Sequence, residues 1–161
     1  MYYTGDVSYY KPVADANKRG KWKQPIYVGK AIPAGGRKGG QGLDALAGAV
    51  LHKRLEEHAD TVKAATSLQI TDFKCQYLVV DDIFISLTES MLIETYRPVW
   101  NLILDGFGNH DPGGGRYNQQ CSFWDTVHPG REWAAKCKPN KKSATELLKR
   151  MKEFFAGKLA L

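Results

Sequence analysis

Arg54, His58 and Glu89 stand, by helical phase, where apolar residues are expected. In the stretch TESMLIETYRPVWN, placing Glu89 at zero and advancing about 100° per residue puts Leu92, Tyr96 and Ile93 at about 300°, 340° and 40°. Glu89 is thus centred on the apolar stripe, while Glu94, at about 140°, faces solvent. The same projection of LAGAVLHKRLEEHAD sets Val50, Leu51, Arg54 and His58 on one stripe and turns His52, Lys53 and Glu56 outward. A carboxylate on a core-facing stripe is costly unless it is paired or bound to a cation. A buried Glu89–Arg54 ion pair would satisfy the carboxylate but would leave His58 unexplained. Ionisable groups on the inner stripes of two helices point to a shared polar cavity.

The distribution of charge suggests what such a cavity would hold. The 161 residues carry a net charge of +6. Seven basic residues (Lys18, Arg19, Lys21, Lys23, Lys30, Arg37 and Lys38) lie between Asp15 and Asp44 without an acid among them. A second basic run covers 136–158, and the balance reverses from Asp81 to Asp111. Two basic flanks around an acidic middle suit a polyanion held across a metal site. The glycine-rich IPAGGRKGGQG has no GK[ST] and opens no helix, so no nucleotide cofactor is expected. Cys75, Cys121 and Cys137 form no CxxC pair, and Cys121, His128 and Cys137 are too widely and irregularly spaced for zinc. They are expected as reduced thiols in a cytoplasmic protein. No apolar run is long enough to span a membrane and no signal-peptide pattern opens the chain.

The elements that must position these residues read as α+β. MYYTG and QPIYVGKA are expected as strands joined by a loop through Lys23, and LQITDFKCQYLVV as a further strand region. Helices are expected from Leu43 to about Ala59 with Asp44 as N-cap, from Asp82 as cap to Arg97 before Pro98, and from the capping box Ser143-Ala-Thr-Glu146 onward. The last helix should bury Leu147, Leu148, Met151, Phe154 and Phe155. Residues 105–140 are irregular. One domain is expected over 1–161, with a catalytic core to about 104 and a reading loop and C-terminal helix beyond.

With these elements in place, PIYVGKA, a helix Arg and ESMLIETYRPVWN together resemble the GIY-YIG nuclease superfamily. Tyr27, Arg54, Glu89 and Asn101, twelve residues after Glu89, match its motif positions. His58, four after Arg54, and GFGNHDPGGGRYNQQCSFWDTVHPGR resemble its type II restriction endonuclease branch, in particular the enzymes that cut the palindrome CCGCGG. The chain departs in opening Met1-Tyr2-Tyr3-Thr4 instead of Gly-Ile-Tyr. Strand alternation places one of the two tyrosines on the cavity face, and Tyr3 is the expected one.

The resemblance implies a GIY-YIG core, a small and mostly antiparallel sheet flanked by helices with a C-terminal extension, cutting double-stranded DNA. Glu89 would hold one Mg²⁺, for which Mn²⁺ could substitute, facing the scissile phosphate and its leaving 3′ oxygen. Arg54 would grip the phosphoryl oxygens, and Tyr27 or Tyr3 would be the base, relayed through His58. Ionising a free phenol at pH 7 costs about 4 kcal/mol, so Arg54, a charged His58 and the metal are expected to lower the tyrosine pKa. Asn101 would buttress the Glu89 region. Candidates for reading bases are Arg116, Asn118, Gln119, Gln120, Asp125, His128 and Arg131, with Lys30, Arg37 and Lys38 also expected at the DNA. A palindromic site implies a homodimer on DNA, with the segment from Val7 to Lys23 or the C-terminal helix as contact surface. Two other readings remain open: a repair or homing-type nuclease of looser specificity, and a catalytically silent nucleic-acid-binding module.

Overall fold

The computed structural model describes residues 1–32 and 47–159. Its sheet is small because only short runs find partners: β1 (Tyr2–Tyr3) pairs antiparallel with β2 (Phe73–Lys74), Tyr2 opposite Lys74 and Tyr3 opposite Phe73. On the other side of β1, Pro25 bridges Tyr2, and Ile26 N–H donates to Met1 O at 2.9 Å. Proline has no N–H to give a ladder, so the expected strand QPIYVGKA survives only as an extended run beside β1. The run after Lys74 also leaves the sheet. Tyr77, Leu78 and Val79 are exposed, although their β-branched and aromatic character suggested a strand.

The connection from β1 to Pro25, expected as a loop, contains helix α1 (Lys11–Asn17). Pro12 falls in its first turn, where the missing N–H costs nothing, and Val13, Ala14 and Asn17 are buried. Asn17 closes the connection, its Nδ2 donating to Tyr3 O at 3.0 Å and Gln24 O at 2.9 Å. Helix α2 (Ala47–Ala64) runs one turn further than expected, and its expected start, with Asp44, lies outside the described residues. Helix α3 (Ile85–Tyr96) begins after a tight turn at Asp82–Phe84, and Asp82 gives it no side-chain cap. Arg97 ends α3 in the left-handed region at φ 47°, its N–H donating to Ile93 O, and Pro98 precedes the short α4 (Val99–Leu102). Helix α5 (Phe123–Val127) and helix α6 (Ala144–Phe155) complete the chain.

Helix α6 carries the anticipated reciprocal Ser143/Glu146 capping box. It buries Leu147 and Met151, while Leu148, Phe154 and Phe155 are partly buried against the core. It packs on α5 and on the turn at Ser8–Tyr10, so its apolar face belongs to its own core.

The core is aromatic and centred on Trp100, whose ring meets Phe107 at 4.7 Å, Trp124 at 5.6 Å, Phe73 at 5.7 Å and Tyr10 at 5.9 Å. Trp100 Nε1–H donates to Tyr10 Oη at 2.7 Å, Tyr10 Oη lies 2.5 Å from His128 Nε2, and His128 Nδ1 lies 2.7 Å from Ser67 Oγ. This chain of hydrogen bonds ties four segments together through a fully buried imidazole. Burial lowers the His128 pKa to about 3, so the ring is neutral in the fold. The unfolded chain takes up that proton near the ordinary value of 6.5 and binds more protons throughout the window between. Stability is therefore complete above pH 6.5 and falls toward pH 3, by roughly 1.36 kcal/mol per pH unit from this group. Thermal unfolding from pH 7 to 4 is expected to show this loss. His128→Gln, which keeps a polar group facing Tyr10, should flatten the dependence, and an unchanged slope would contradict the assignment.

Candidate active site

A cleft of about 520 Å³ opens between α2, α3 and the extended run 25–31, with residues 75–80 along one wall. The helical phase places its charged walls. On α2, His58 is buried and Arg54 half-buried, while His52, Lys53 and Glu56 are exposed. On α3 the half-buried stripe is Ile85, Thr88, Glu89, Leu92 and Ile93, and Glu94 is exposed. Tyr27, Lys30, Arg54, His58 and Glu89 all line the cleft.

Arg54 and Glu89 do not pair with each other. Glu89 Oε2 accepts from Lys30 Nζ at 2.8 Å, and Lys30 also donates to Ser86 Oγ at 3.2 Å. Arg54 Nη1 donates to Glu57 Oε2 at 2.9 Å and to His110 Nε2 at 2.8 Å, and Nη2 to Gly108 O at 3.1 Å. The guanidinium holds the Glu57 carboxyl below its usual range.

The glycine of Tyr27-Val28-Gly29 has a steric cause. In an extended run residues i and i+2 share a side, and the Tyr27 ring folds over Gly29. A Cβ at Gly29 would lie 2.7 Å from the Tyr27 hydroxyl. Asn101 holds the same run, Oδ1 accepting from Val28 N–H and Nδ2 donating to Val28 O, both at 2.8 Å. Asn101 therefore buttresses the Tyr27 segment and not, as expected, the Glu89 region.

The electrostatics also depart from expectation. Burial raises the Tyr27 pKa, and the adjacent Arg54 only partly opposes this. Burial, and then the Arg54 charge, lower His58 to about 4, so His58 is neutral near pH 7 and supplies no positive charge to Tyr27. The His58 ring stacks on Phe107 at 4.8 Å and meets the Tyr27 ring edge-on at 5.2 Å.

Tyr3, the expected cavity tyrosine, faces the core instead. It is fully buried against Phe73 and Tyr10, with its hydroxyl accepting from Val7 N–H at 3.0 Å, whereas Tyr2 lines the cleft. The pleat points one side chain each way, and α1 covers the face that Tyr3 takes.

The expected base-reading residues divide in two. Arg116, Asn118, Gln119 and Gln120 are exposed on the loop before α5. Asp125, His128 and Arg131 are buried and do not reach a surface duplex. Arg131 forms a two-pronged ion pair with Asp125, Nε to Oδ1 at 2.6 Å and Nη2 to Oδ2 at 2.7 Å. Lys30 is inside the cleft, and Arg37 and Lys38 lie outside the described residues. Sequence reasoning missed His110 and the Gly108 carbonyl, although the paired glycines of GFGNH marked a backbone that approaches its neighbours closely.

Among the described residues no three His, Cys, Asp or Glu side chains are grouped to hold a metal ion. Two carboxylate residues line the cleft, the exposed Asp82 at its edge and the half-buried Glu89 on the inner stripe of α3, and so sparse a donor set suits an ion taking its other ligands from water and phosphate, as Mg²⁺ does.

The family model described as the Eco29kI GIY-YIG domain matches residues 1–155. The chain belongs to this family. It is a GIY-YIG nuclease of restriction type, and its partner is DNA. Comparison with curated proteins gives no match. In this GIY-YIG chain the α+β core is the small antiparallel sheet with its flanking helices, and Asn101 clamps the extended run Tyr27-Val28-Gly29 beside it. Among the described residues no helix is long and apolar enough to cross a membrane.

Proposed function

We propose that the protein is a type II, sequence-specific endonuclease that cuts double-stranded DNA at a short G·C-rich palindrome, CCGCGG by resemblance, with Mg²⁺ as cofactor and Mn²⁺ as a substitute. The observation that carries this reading is the convergence of Tyr27, Arg54, His58 and Glu89 on one cleft, from two helices and an extended run. The Arg54 fork, already held by three acceptors, presents its charge to the phosphoryl oxygens as negative charge builds on them. Tyr27 orients the attacking water, and His58, neutral in the free protein, receives the proton that the water releases as its oxygen bonds to phosphorus. A bound phosphate adds negative charge beside His58 and raises its affinity for that proton. Glu89 would hold the metal ion, whose Lewis acidity would stabilise the charge on the phosphate and on the 3′ oxygen that leaves as its bond to phosphorus breaks. Lys30 must release Glu89 for this, a small cost for a partly exposed pair.

Plasmid DNA incubated with protein and Mg²⁺ is expected to give discrete bands. A smear would favour a nuclease of loose specificity, and uncut plasmid would favour a silent binding module. Two cuts related by a palindrome call for two active sites, so a homodimer is expected on a single-site duplex. Sedimentation showing one protomer per duplex, with both strands cut in one binding event, would refute the dimer.

A further inference from the structure

The geometry points to His110 as a positioning residue for Arg54, presented by a loop that the buried Arg131–Asp125 pair holds in place. This rests on the catalytic reading of Arg54, and its test includes an arm that does not.

The segment Gly106-Phe107-Gly108-Asn109-His110 packs behind three residues that line the cleft, Phe107 meeting Tyr27 and His58, and Gly108 O and His110 meeting Arg54. Phe107 is buried and stacks on His58, which anchors the segment in its middle. Behind it, Arg131 donates to three of its carbonyls: Nη2 to Gly106 O at 2.9 Å, and Nη1 to Phe107 O at 3.3 Å and Asn109 O at 2.9 Å. A guanidinium can serve that many acceptors because its five N–H groups lie in a rigid plane. Asp125 neutralises it, and the Trp133 and Trp124 rings lie 4.5 and 5.0 Å away. With those three carbonyls held from one side, Gly108 O turns to Arg54 Nη2.

Gly108 makes that approach possible. A Cβ there would lie 2.7 Å from the Tyr27 hydroxyl and 3.0 Å from Arg54 Nη2. Two residues on, His110 Nε2 accepts from Arg54 Nη1, which places the imidazole proton on Nδ1. The Arg54 fork is thereby fixed at both terminal nitrogens, one by the loop backbone and one shared between His110 and Glu57. A long side chain held this way loses less freedom when a phosphate arrives, and preorganisation of that kind accelerates chemistry more than it strengthens binding. His110 is largely exposed, so its replacement leaves the core intact.

The test compares wild type with His110→Ala and with His110→Gln, whose amide oxygen also accepts from a guanidinium. Single-turnover cleavage at saturating protein, duplex affinity in Ca²⁺ and thermal melting are measured on each. His110→Ala is expected to cut about tenfold more slowly, the effect of one lost hydrogen bond to a charged group, with affinity and melting unchanged. His110→Gln should recover most of the rate. Independently of cleavage, guanidinium ¹⁵N–¹H spectra of the free protein should show slowly exchanging Arg54 Nη signals that broaden in His110→Ala and persist in His110→Gln. A His110→Ala protein with wild-type rate and unchanged Arg54 signals would overturn the proposal, as would a Gln variant no better than Ala. Wild type that leaves DNA uncut would count against the proposed activity, while the Arg54 signals would still decide whether His110 holds the guanidinium.

Discussion

Glu89→Gln is expected to bind duplex DNA as wild type does and to leave it uncut. The amide is nearly isosteric with the carboxylate but carries no charge for a hard cation, and Glu89 is the carboxylate of the cleft's inner stripe. The fold should hardly notice. Its partner Lys30 remains partly exposed and keeps Ser86 as an acceptor, so the lost ion pair costs about 1 kcal/mol or less. Removing one negative charge from a cleft that must admit a phosphate should, if anything, tighten DNA binding slightly. Glu94→Gln, on the exposed side of the same helix, is the matched control and should cut normally. Gel shift in Ca²⁺ beside cleavage in Mg²⁺ reads both properties. An active Glu89→Gln protein, or an inactive Glu94→Gln protein, would show that the wrong carboxylate has been assigned.

Arg54→Ala is expected to lower the single-turnover rate by about 10² to 10³, the usual effect of removing a preorganised charge from the place where transition-state charge develops. Melting should change little. A guanidinium paired with a buried carboxylate would cost about 3 to 5 kcal/mol on removal, because the partner is left as an isolated charge. Glu57 and His110 are instead in contact with solvent, so the variant should retain wild-type stability to within about 1 kcal/mol. The substitution also removes one of the two main influences that depress His58, and that imidazole should then titrate at a higher pH. A cleavage-competent Arg54→Ala protein would contradict the assigned role, and a large fall in melting temperature would show that Arg54 is structural.

The periodicity of two helices was enough to turn Arg54, His58 and Glu89 inward and Glu94, His52 and Glu56 outward, because helical phase depends only on sequence order once an apolar stripe is recognised. The capping box of α6 was legible for the same reason: its two hydrogen bonds join residues three apart. Strand pairing was not. Phe73–Lys74 pairs while the equally β-prone Tyr77–Val79 lines a cleft, since a strand needs an edge to meet, and its own residues do not carry that edge. Nor does alternation by itself say which of Tyr2 and Tyr3 faces the core, because that is decided by where α1 packs. Asp125, His128 and Arg131 look like surface readers in a polar loop, yet Asp125 and Arg131 neutralise each other and His128 is matched by Tyr10 and Ser67. Only a partner elsewhere in the chain makes burial of such a group affordable. His110 meets Arg54 across 56 positions of sequence, and no local pattern encodes that contact. The sequence alone determined which side chains turn inward on each helix. Tertiary packing decided what they meet there, because a helical face follows from nearest neighbours, whereas a hydrogen-bond partner depends on how distant segments come together.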